Sequence, residues 1–271
     1  MRPILTTMLL ALGVAVAAPA TAATQWSLTG GSNTSNPLPY GNARVFSGTG
    51  TAVTVSATAW SSTVGTSNVQ IEDAYLAVYG SSGLGVINRD GISTTDQDVN
   101  DVIGNSSEHS MDNDQRSDMI LLSFSQAINL SSFSIGWRGG DSDMSLMAYT
   151  GAGGPNLSGV ANTNAGLVSA GWTGIGDYMN VATNTQTSVS TSIYSSFWLV
   201  GAFNPAFNNG STSYLGAKDL VKLSGVGGTI CTGTVVGGTC GQTSTGVPEP
   251  ASLALAGLGL FGLYGARRRR R

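Results

Sequence analysis

The chain has 271 residues, of which only 10% are charged, and its formal net charge is −3. Roughly a quarter of the residues are charged in an average globular protein, so this composition argues against a cytosolic enzyme. Residues 23–246 contain six basic and fourteen acidic side chains, a formal charge of −8. Because a segment this acidic offers no basic stripe to neutralise phosphates, we expect no nucleic-acid partner.

The first 22 residues follow the order of features in a secretory signal peptide. Arg2 gives a positive start, residues 4–18 are apolar, and Ala20-Thr21-Ala22 is a small-x-small site. A buried hydrophobic helix is the alternative, but it does not require this order of features. We predict export, with residues 1–22 cleaved off between Ala22 and Ala23.

Residues 23–246 alternate between apolar and polar side chains in many short stretches. In TAVTVSATAW (51–60), the alternation places Val53, Val55, Ala57 and Ala59 on one face. The other candidate strands are 73–80, 118–124, 133–137, 144–149, 196–203 and 219–225. Short strands without crossover helices predict one all-β domain, an antiparallel β-sandwich of jelly-roll type. The Gly-rich residues 151–190 are predicted to form long loops with one or two weak strands.

Ten of the fourteen acidic residues of this domain lie between residues 90 and 143. If strands 118–124 and 133–137 pair as a hairpin, the side chains before and after it meet at one sheet edge. Crowded carboxylates repel each other, and Ca²⁺ would relieve that repulsion. The candidate calcium ligands are Asp112, Asn113, Asp114, Asp141 and Asp143. The alternative is that these residues are solvated loop and capping residues.

Two aromatic residues in the segment GWTGIGDYM, Trp172 and Tyr178, are candidates for binding a ligand. Exposed rings on a sandwich can stack on sugar rings, so these two are the predicted carbohydrate platforms. Trp137 and Trp198 lie in apolar strand segments, and we expect them in the core.

The catalytic signals in the chain are weak. His109 is the only histidine, and no G-x-S-x-G elbow occurs. A glycosidase is disfavoured because the chain has only three glutamates, Glu72, Glu108 and Glu249. We therefore expect no catalytic residues and no enzyme, with a secreted hydrolase as the remote alternative.

Cys231 and Cys240 flank the sequence TGTVVGGT. In an exported protein, two cysteines at this separation favour a disulfide that closes a hairpin, with Gly237 and Gly238 as its turn. A metal site would need further soft ligands near them. We predict the disulfide.

The last 25 residues begin with Val247, Pro248, Glu249 and Pro250, and continue with an apolar run at 251–266. Sixteen residues make a helix of about 24 Å, at or below the short limit for a membrane span. The chain then ends in Arg267, Arg268, Arg269, Arg270 and Arg271, which would stay on the cytoplasmic side. This arrangement indicates a temporary anchor and not a permanent one.

Residues 247–271 resemble a PEP-CTERM sorting signal, which consists of a Pro-Glu-Pro motif, an apolar helix and a terminal Arg cluster. The resemblance implies recognition and cleavage by an exosortase, a membrane protease-transpeptidase of Gram-negative bacteria that make exopolysaccharide. It implies a transient inner-membrane intermediate, tethered only through this helix, followed by release to the cell surface or extracellular matrix.

Segments of the domain also resemble an exosortase-dependent surface-protein family within the PEP-CTERM group. The similar positions are residues 83–86, His109 with Asp112 and Asn113, residues 118–124, Gly136 with Trp137, and residues 141–143. That family brings no catalytic activity with it. The sequence thus predicts a secreted surface or exopolysaccharide-matrix protein with a structural or adhesive role. A Ca²⁺-assisted carbohydrate-binding module is the alternative.

Overall fold

The computed structural model describes residues 23–30, 40–63, 69–89, 109–114, 116–208 and 218–241. The strands in this part of the chain are β1 (Thr24–Ser27), β2 (Ala43–Ser47), β3 (Thr54–Ser62), β4 (Ile71–Asp73), β5 (Tyr75–Val78), β6 (Leu84–Ile87), β7 (Met111–Asp112), β8 (Asp118–Arg138), β9 (Met144–Tyr149), β10 (Trp172–Tyr178), β11 (Thr187–Ser188), β12 (Ser195–Ala202), β13 (Leu220–Ile230), β14 (Val235–Val236) and β15 (Thr239–Cys240). One helix, α1 (Asn164–Ser169), and a 3₁₀ turn (Gly80–Ser82) complete them. The fold is predominantly β with antiparallel pairing, as predicted.

Strand β8 organises the fold because its two halves belong to two different parts of the sheet. Its first half, residues 118–124, pairs with β3 on one side and β12 on the other. Its second half, residues 128–138, pairs with β13 and β11. We call the strands around the first half arm A (β10-β9-β12-β8-β3, with β2 and β4). Those around the second half are arm B (β8-β13-β6-β5, with β1, β7 and β11).

The main core lies between the two arms. Arm A contributes Val55, Ala57, Ala59 and Trp198, which are among its most completely buried side chains. Arm B contributes other apolar side chains to the same cluster, including Phe133. The one-sided alternation predicted for residues 51–60 is confirmed, because every second residue from Val53 to Ala59 is buried.

Arm A is also covered on its other face. Met119, Met147 and Leu199 point away from the main core and pack with Leu167 of α1 and with Trp172. Helix α1 begins where the Thr163 side chain accepts a hydrogen bond from the Gly166 N–H at 3.0 Å. Arm A is therefore apolar on both faces, which explains why β12 (SSFWLVGA) contains a nearly continuous apolar run.

One prediction about elements was wrong, and two were confirmed only in part. Residues 118–124 and 133–137 are not two strands of a hairpin but the two ends of the single strand β8. The predicted strand at 73–80 is divided, because β4 ends at Asp73 and β5 begins at Tyr75. Residues 151–190 contain two strands, β10 and β11, as predicted, but also a helix, α1, that was not predicted. Its single buried residue, Leu167, leaves no apolar stripe that would indicate a helix.

The two predicted terminal signals fall outside the described residues. These are the predicted signal peptide (residues 1–22), which ends at the cleavage site before Ala23, and the predicted sorting segment (residues 247–271). Among the residues that the structure does describe, no helix has the length and apolar character needed to cross a membrane.

Candidate functional site

Three acidic side chains, Asp141, Asp143 and Asp219, lie together where β13 begins and β8 ends. Strand β13 starts at Leu220, which pairs with Asp112 of β7, while the next residue, Val221, pairs with Arg138 at the end of β8. The residue before β13, Asp219, therefore lies beside the loop that joins β8 to β9. Asp141 of that loop forms a parallel β-bridge with Asp219.

Asp219 is the centre of this group and is 1% exposed. Its Oδ1 accepts the backbone N–H of Asp143 at 2.7 Å, and its Oδ2 accepts the Asn113 side-chain amide at 2.6 Å. The backbone N–H of Asp219 in turn donates to Asn113 Oδ1 at 2.9 Å. Asn113 also donates to the Phe203 carbonyl at 3.2 Å, so the amide is fixed from two sides. The carboxylate of Asp219 is thus held in place by hydrogen bonds.

Asp141 and Asp143 complete the group. Asp143 Oδ1 accepts the backbone N–H of Asn180 at 2.7 Å, and Asp141 Oδ1 accepts the backbone N–H of Ser142 at 2.8 Å. Carboxylate oxygens of Asp141, Asp143 and Asp219 lie within 4.8 Å of one another. Asp141 is only partly buried, so the group opens to solvent on its side.

Burial and mutual repulsion change the protonation of these carboxyls. Burial, together with the charges of Asp143 and Asp141, raises the pKa of Asp219 to about 7, against the lowering effect of its hydrogen bonds to Asp143 and Asn113. Burial also raises the pKa of Asp143; the Asn180 hydrogen bond opposes this shift and the charge of Asp141 adds to it. Both directions are those expected for carboxyls that are buried beside other acids.

The structure brings together three of the five predicted calcium ligands, Asn113, Asp141 and Asp143. Asp114 instead forms an ion pair with Lys218. Asp112 accepts the backbone N–H of Asp114 at 3.0 Å and lies outside the three-carboxylate group of the described residues. Asp219 was missed by the sequence reasoning. Its only signal is its position directly before an apolar strand, and that signal does not reveal its neighbours.

The residue types of this group suit a hard cation. Its three carboxylates supply the oxygen ligands that Ca²⁺ prefers, although Ca²⁺ takes 6–8 oxygens in all. Asp141, Asp143 and Asp219 would hold the ion, and the Asp141 side would leave room for water. Where the Asp219 carboxyl is protonated, it would have to lose its proton before it could bind the ion.

The prediction that Trp172 forms an exposed platform for a sugar ring was wrong. Trp172 is 1% exposed, because it starts β10 beside Tyr149 and faces the layer that covers arm A. Tyr178 is half-buried, with its ring edge-on to Phe133 at 5.1 Å between centroids. Burial raises the pKa of Tyr178, and the charge of Asp177 raises it further.

Trp198 and Trp137, which were both expected in the core, differ in how far they are buried. Trp198 is completely buried. Trp137 is half-buried, and the Lys222 Nζ lies 3.8 Å from its ring centroid. Trp137 thus packs against a cation at the side of arm B.

The structure contains the predicted disulfide between Cys231 and Cys240, with 5.8 Å between the Cα atoms. It closes the hairpin of β14 and β15, and Gly237 and Gly238 occupy the turn with φ of 54° and 82°. Positive φ at both central positions is the signature of a type I′ turn. This is the turn that the glycine pair predicted.

His109 packs against an aromatic ring. It is 8% exposed, and its ring centroid lies 4.2 Å from that of Tyr79. Its backbone carbonyl faces Gly85, where an added Cβ would lie 2.0 Å from the oxygen. The described contacts of His109 are those of a packed residue.

The decisive comparison concerns the C-terminus. Residues 246–270 match the family model of the PEP-CTERM protein-sorting motif. The chain carries a PEP-CTERM sorting motif. This PEP-CTERM segment covers Val247, Pro248, Glu249 and Pro250 and four of the five terminal arginines, which confirms the resemblance stated above. No curated protein and no solved structure matches the chain.

A PEP-CTERM motif implies processing by an exosortase. It further implies export, with surface or extracellular localisation in a Gram-negative bacterium. The match lies outside the folded domain described above, so it concerns the route of the protein and not the chemistry of the acidic group.

Proposed function

We propose that this protein is a structural or adhesive component of the cell surface or exopolysaccharide matrix, released there by an exosortase. The PEP-CTERM motif at residues 246–270 carries the proposal. The domain before it supports the same function, because thirteen of its described strands join into one sheet with buried cores on both faces of arm A. Such a fold suits a durable extracellular component.

The proposal includes the finer organisation predicted from the sequence. Residues 1–22 act as the signal peptide, residues 23–246 form the surface domain and residues 247–271 are removed as the sorting signal. The face-to-face packing of arms A and B supports a sandwich of jelly-roll type for the domain.

The test is to follow the protein in its own cells, with and without the exosortase gene. In wild-type cells we expect a mature mass that lacks both terminal segments, recovered from the surface or matrix fraction. Without the exosortase, the full C-terminus should remain attached to the inner membrane. Recovery of the intact polyarginine end from wild-type cells would overturn the proposal. The variant Glu249→Gln changes the Pro-Glu-Pro motif itself and should impair the same cleavage in cells that have the exosortase.

The proposal also holds that the protein is not an enzyme. The tight contact of His109 with Tyr79 supports a packing role for the one histidine of the chain. A hydrolase that depends on this imidazole would lose its activity in His109→Gln. We expect assays on ester, peptide and glycoside substrates to give the same background rates for the variant and the wild type.

The second candidate is the Ca²⁺-assisted carbohydrate-binding module. The convergence of Asp141, Asp143 and Asp219 within 4.8 Å favours its metal part. Calorimetric titration of the purified protein with CaCl₂ tests it. Binding with proton release near neutral pH is the expected result, because the pKa of Asp219 is raised to about 7.

Two variants make this test specific. Asp219→Asn removes the central carboxylate and should abolish the heat of binding. Asp114→Asn is the matched control, since Asp114 pairs with Lys218 outside the group, and it should bind Ca²⁺ like the wild type. If the wild type gives neither heat nor a thermal shift with CaCl₂, the acids are structural.

A further inference from the structure

A groove runs along the disulfide-closed hairpin of β14 and β15, and none of its lining residues belongs to the acidic group. It consists of two neighbouring clefts of about 430 and 490 Å³, which share Ala127, Ser196 and Val235 as lining residues. Clefts that bind small organic ligands have volumes of about 300–1,000 Å³. We call this feature the hairpin groove.

Three aromatic residues line the first cleft: Tyr149 at the end of β9, Tyr194 directly before β12, and Phe197 within β12. Each ring is half-buried, so part of it packs against the protein and part faces the groove. Tyr149 and Phe197 meet edge to face, with 6.0 Å between centroids. The arrangement offers apolar surfaces in more than one orientation, as is needed to hold the C–H face of a sugar ring.

The remaining lining of the groove is small and neutral. It includes residues 151–153 and the hydroxyl-bearing residues Thr150, Ser196 and Thr232. Among the described residues that line either cleft, none carries a formal charge. A neutral lining does not compensate a phosphate, a uronate or a metal ion, because burying an unpaired charge is costly. Hydroxyls and exposed peptide groups do match a ligand rich in neutral hydroxyls.

The hairpin wall of the groove is held in place from two sides. The backbone N–H of Tyr194 donates to the Gly238 carbonyl at 2.7 Å, and the Cys231–Cys240 disulfide closes the base of the hairpin. Val236, at the hairpin tip, is 75% exposed. A preformed wall lowers the entropy cost of holding a flexible chain.

We propose that the hairpin groove binds a neutral polysaccharide segment without the help of a metal ion. The inference rests on the proposed function, in that a matrix protein meets polysaccharide, but it adds the site, the aromatic contacts and the uncharged class of glycan. It also separates glycan binding from the acidic group.

The test measures binding of neutral hexasaccharides (cellohexaose, maltohexaose, mannohexaose and chitohexaose) to protein from the producing cells, in buffer containing EDTA. Polygalacturonate is the charged comparison. Ala152→Trp fills the groove from an exposed lining position without removing any core side chain. Tyr194→Ala removes one aromatic wall. Tyr40→Ala changes an exposed tyrosine that does not line the groove and is the matched control.

We expect at least one neutral hexasaccharide to bind in EDTA, with binding lost in Ala152→Trp and unchanged in Tyr40→Ala. Tyr194→Ala should weaken it by about three- to tenfold, the range for one aromatic contact. The proposal is overturned if no neutral probe binds, if only polygalacturonate binds, or if Ala152→Trp binds as well as the wild type. A dimer that Ala152→Trp dissociates would assign the groove to a second copy instead. Matrix location is scored separately by cell fractionation, so the proposed function can fail or stand independently.

Discussion

Asn113 and Asp219, 106 residues apart, hydrogen-bond to each other through both side chains and backbones. The Asn113 backbone N–H donates to the Asp219 carbonyl at 3.3 Å, in addition to the two bonds of its side chain. The pair joins the end of β7 to the start of β13. It thereby fixes the position of the central carboxylate of the acidic group.

Asn113→Ala should therefore destabilise the domain. The change removes the two side-chain bonds to Asp219 and the one to the Phe203 carbonyl. The buried polar atoms of Asp219 then lose their partner, which costs about 1–3 kcal/mol. Urea unfolding at neutral pH measures the difference. Asn156→Ala is the control, since Asn156 is exposed and accepts only the local N–H of Ser158, and it should change stability by about 0.5 kcal/mol or less. Equal losses in the two variants would contradict the role of the pair.

The raised pKa of Asp219 makes stability depend on pH. Its ordinary value is 3.8 and its folded value is about 7, so the folded state binds the proton more tightly. The resulting stabilisation is fully present below pH 3.8 and is lost as the pH rises through about 7. The contribution of Asp219 to the free energy of unfolding should therefore decrease between about pH 4 and pH 7.

The variant Asp219→Asn isolates this contribution. The amide of the variant does not titrate, so the unfolding free energy of the variant should fall less steeply with pH than that of the wild type. The pH dependence that is left in the variant comes in part from Asp143, whose pKa is also raised. Urea titrations at half-unit pH steps give both profiles. Parallel profiles would show that Asp219 titrates near its ordinary pKa in the folded state.

Two glycines with nearly the same backbone angle provide a second test. Gly83 has φ of 99° and Gly30 has φ of 93°, so alanine is strained at both positions. A Cβ on Gly83 would lie 2.2 Å from the Leu223 carbonyl oxygen, whereas one on Gly30 meets nothing within 4 Å. Gly30→Ala should cost about 1–2 kcal/mol from φ alone.

Gly83→Ala should cost roughly 1–3 kcal/mol more, because β13 must move away from the added methyl group. Thermal and urea unfolding of both variants give the comparison. Similar losses would mean that the backbone angle, and not the close approach of Leu223, requires glycine here.

The disulfide should stabilise the domain by closing a short loop. Cys231 and Cys240 are 9 residues apart, for which the chain-entropy model gives about 2–3 kcal/mol. The Cys231→Ser, Cys240→Ser double variant should unfold at lower urea concentration than the oxidised wild type. Adding reductant should bring the wild type close to the variant and leave the variant unchanged. A wild type that does not respond to full reduction would contradict the prediction.

The strand pattern of arm A could be predicted where one face alternates strictly. Residues 144–149 were expected as a strand, and β9 has those same bounds. Strand β8 was missed because its middle reads SQAINLSS, which looks like a turn. Ser125 and Gln126 are exposed at the point where the strand passes from arm A to arm B. A polar break can therefore mark a change of partner strands as well as a turn.

The site was harder to predict than the strands. The acidic segments pointed to Asn113, Asp141 and Asp143, but the hairpin from which their proximity was argued does not exist. They meet because β13 brings Asp219 between them, and a pairing over more than 70 residues leaves no local signal. Trp172 was misjudged for a similar reason. Its glycine-rich surroundings resemble a loop, and the layer that buries it comes from distant segments.

The length of β8 has a consequence for how the domain comes apart. The first half of this strand is an interior strand of arm A, and its second half pairs with β13 and β11 in arm B, so losing β8 removes backbone hydrogen bonds from both arms. The two arms should consequently unfold in a single transition, and amide protons on both should exchange with the same free energy. A single backbone cut near Gln126 should then unfold the whole domain and expose it to further proteolysis, so an extracellular protease would need to cleave only this one site.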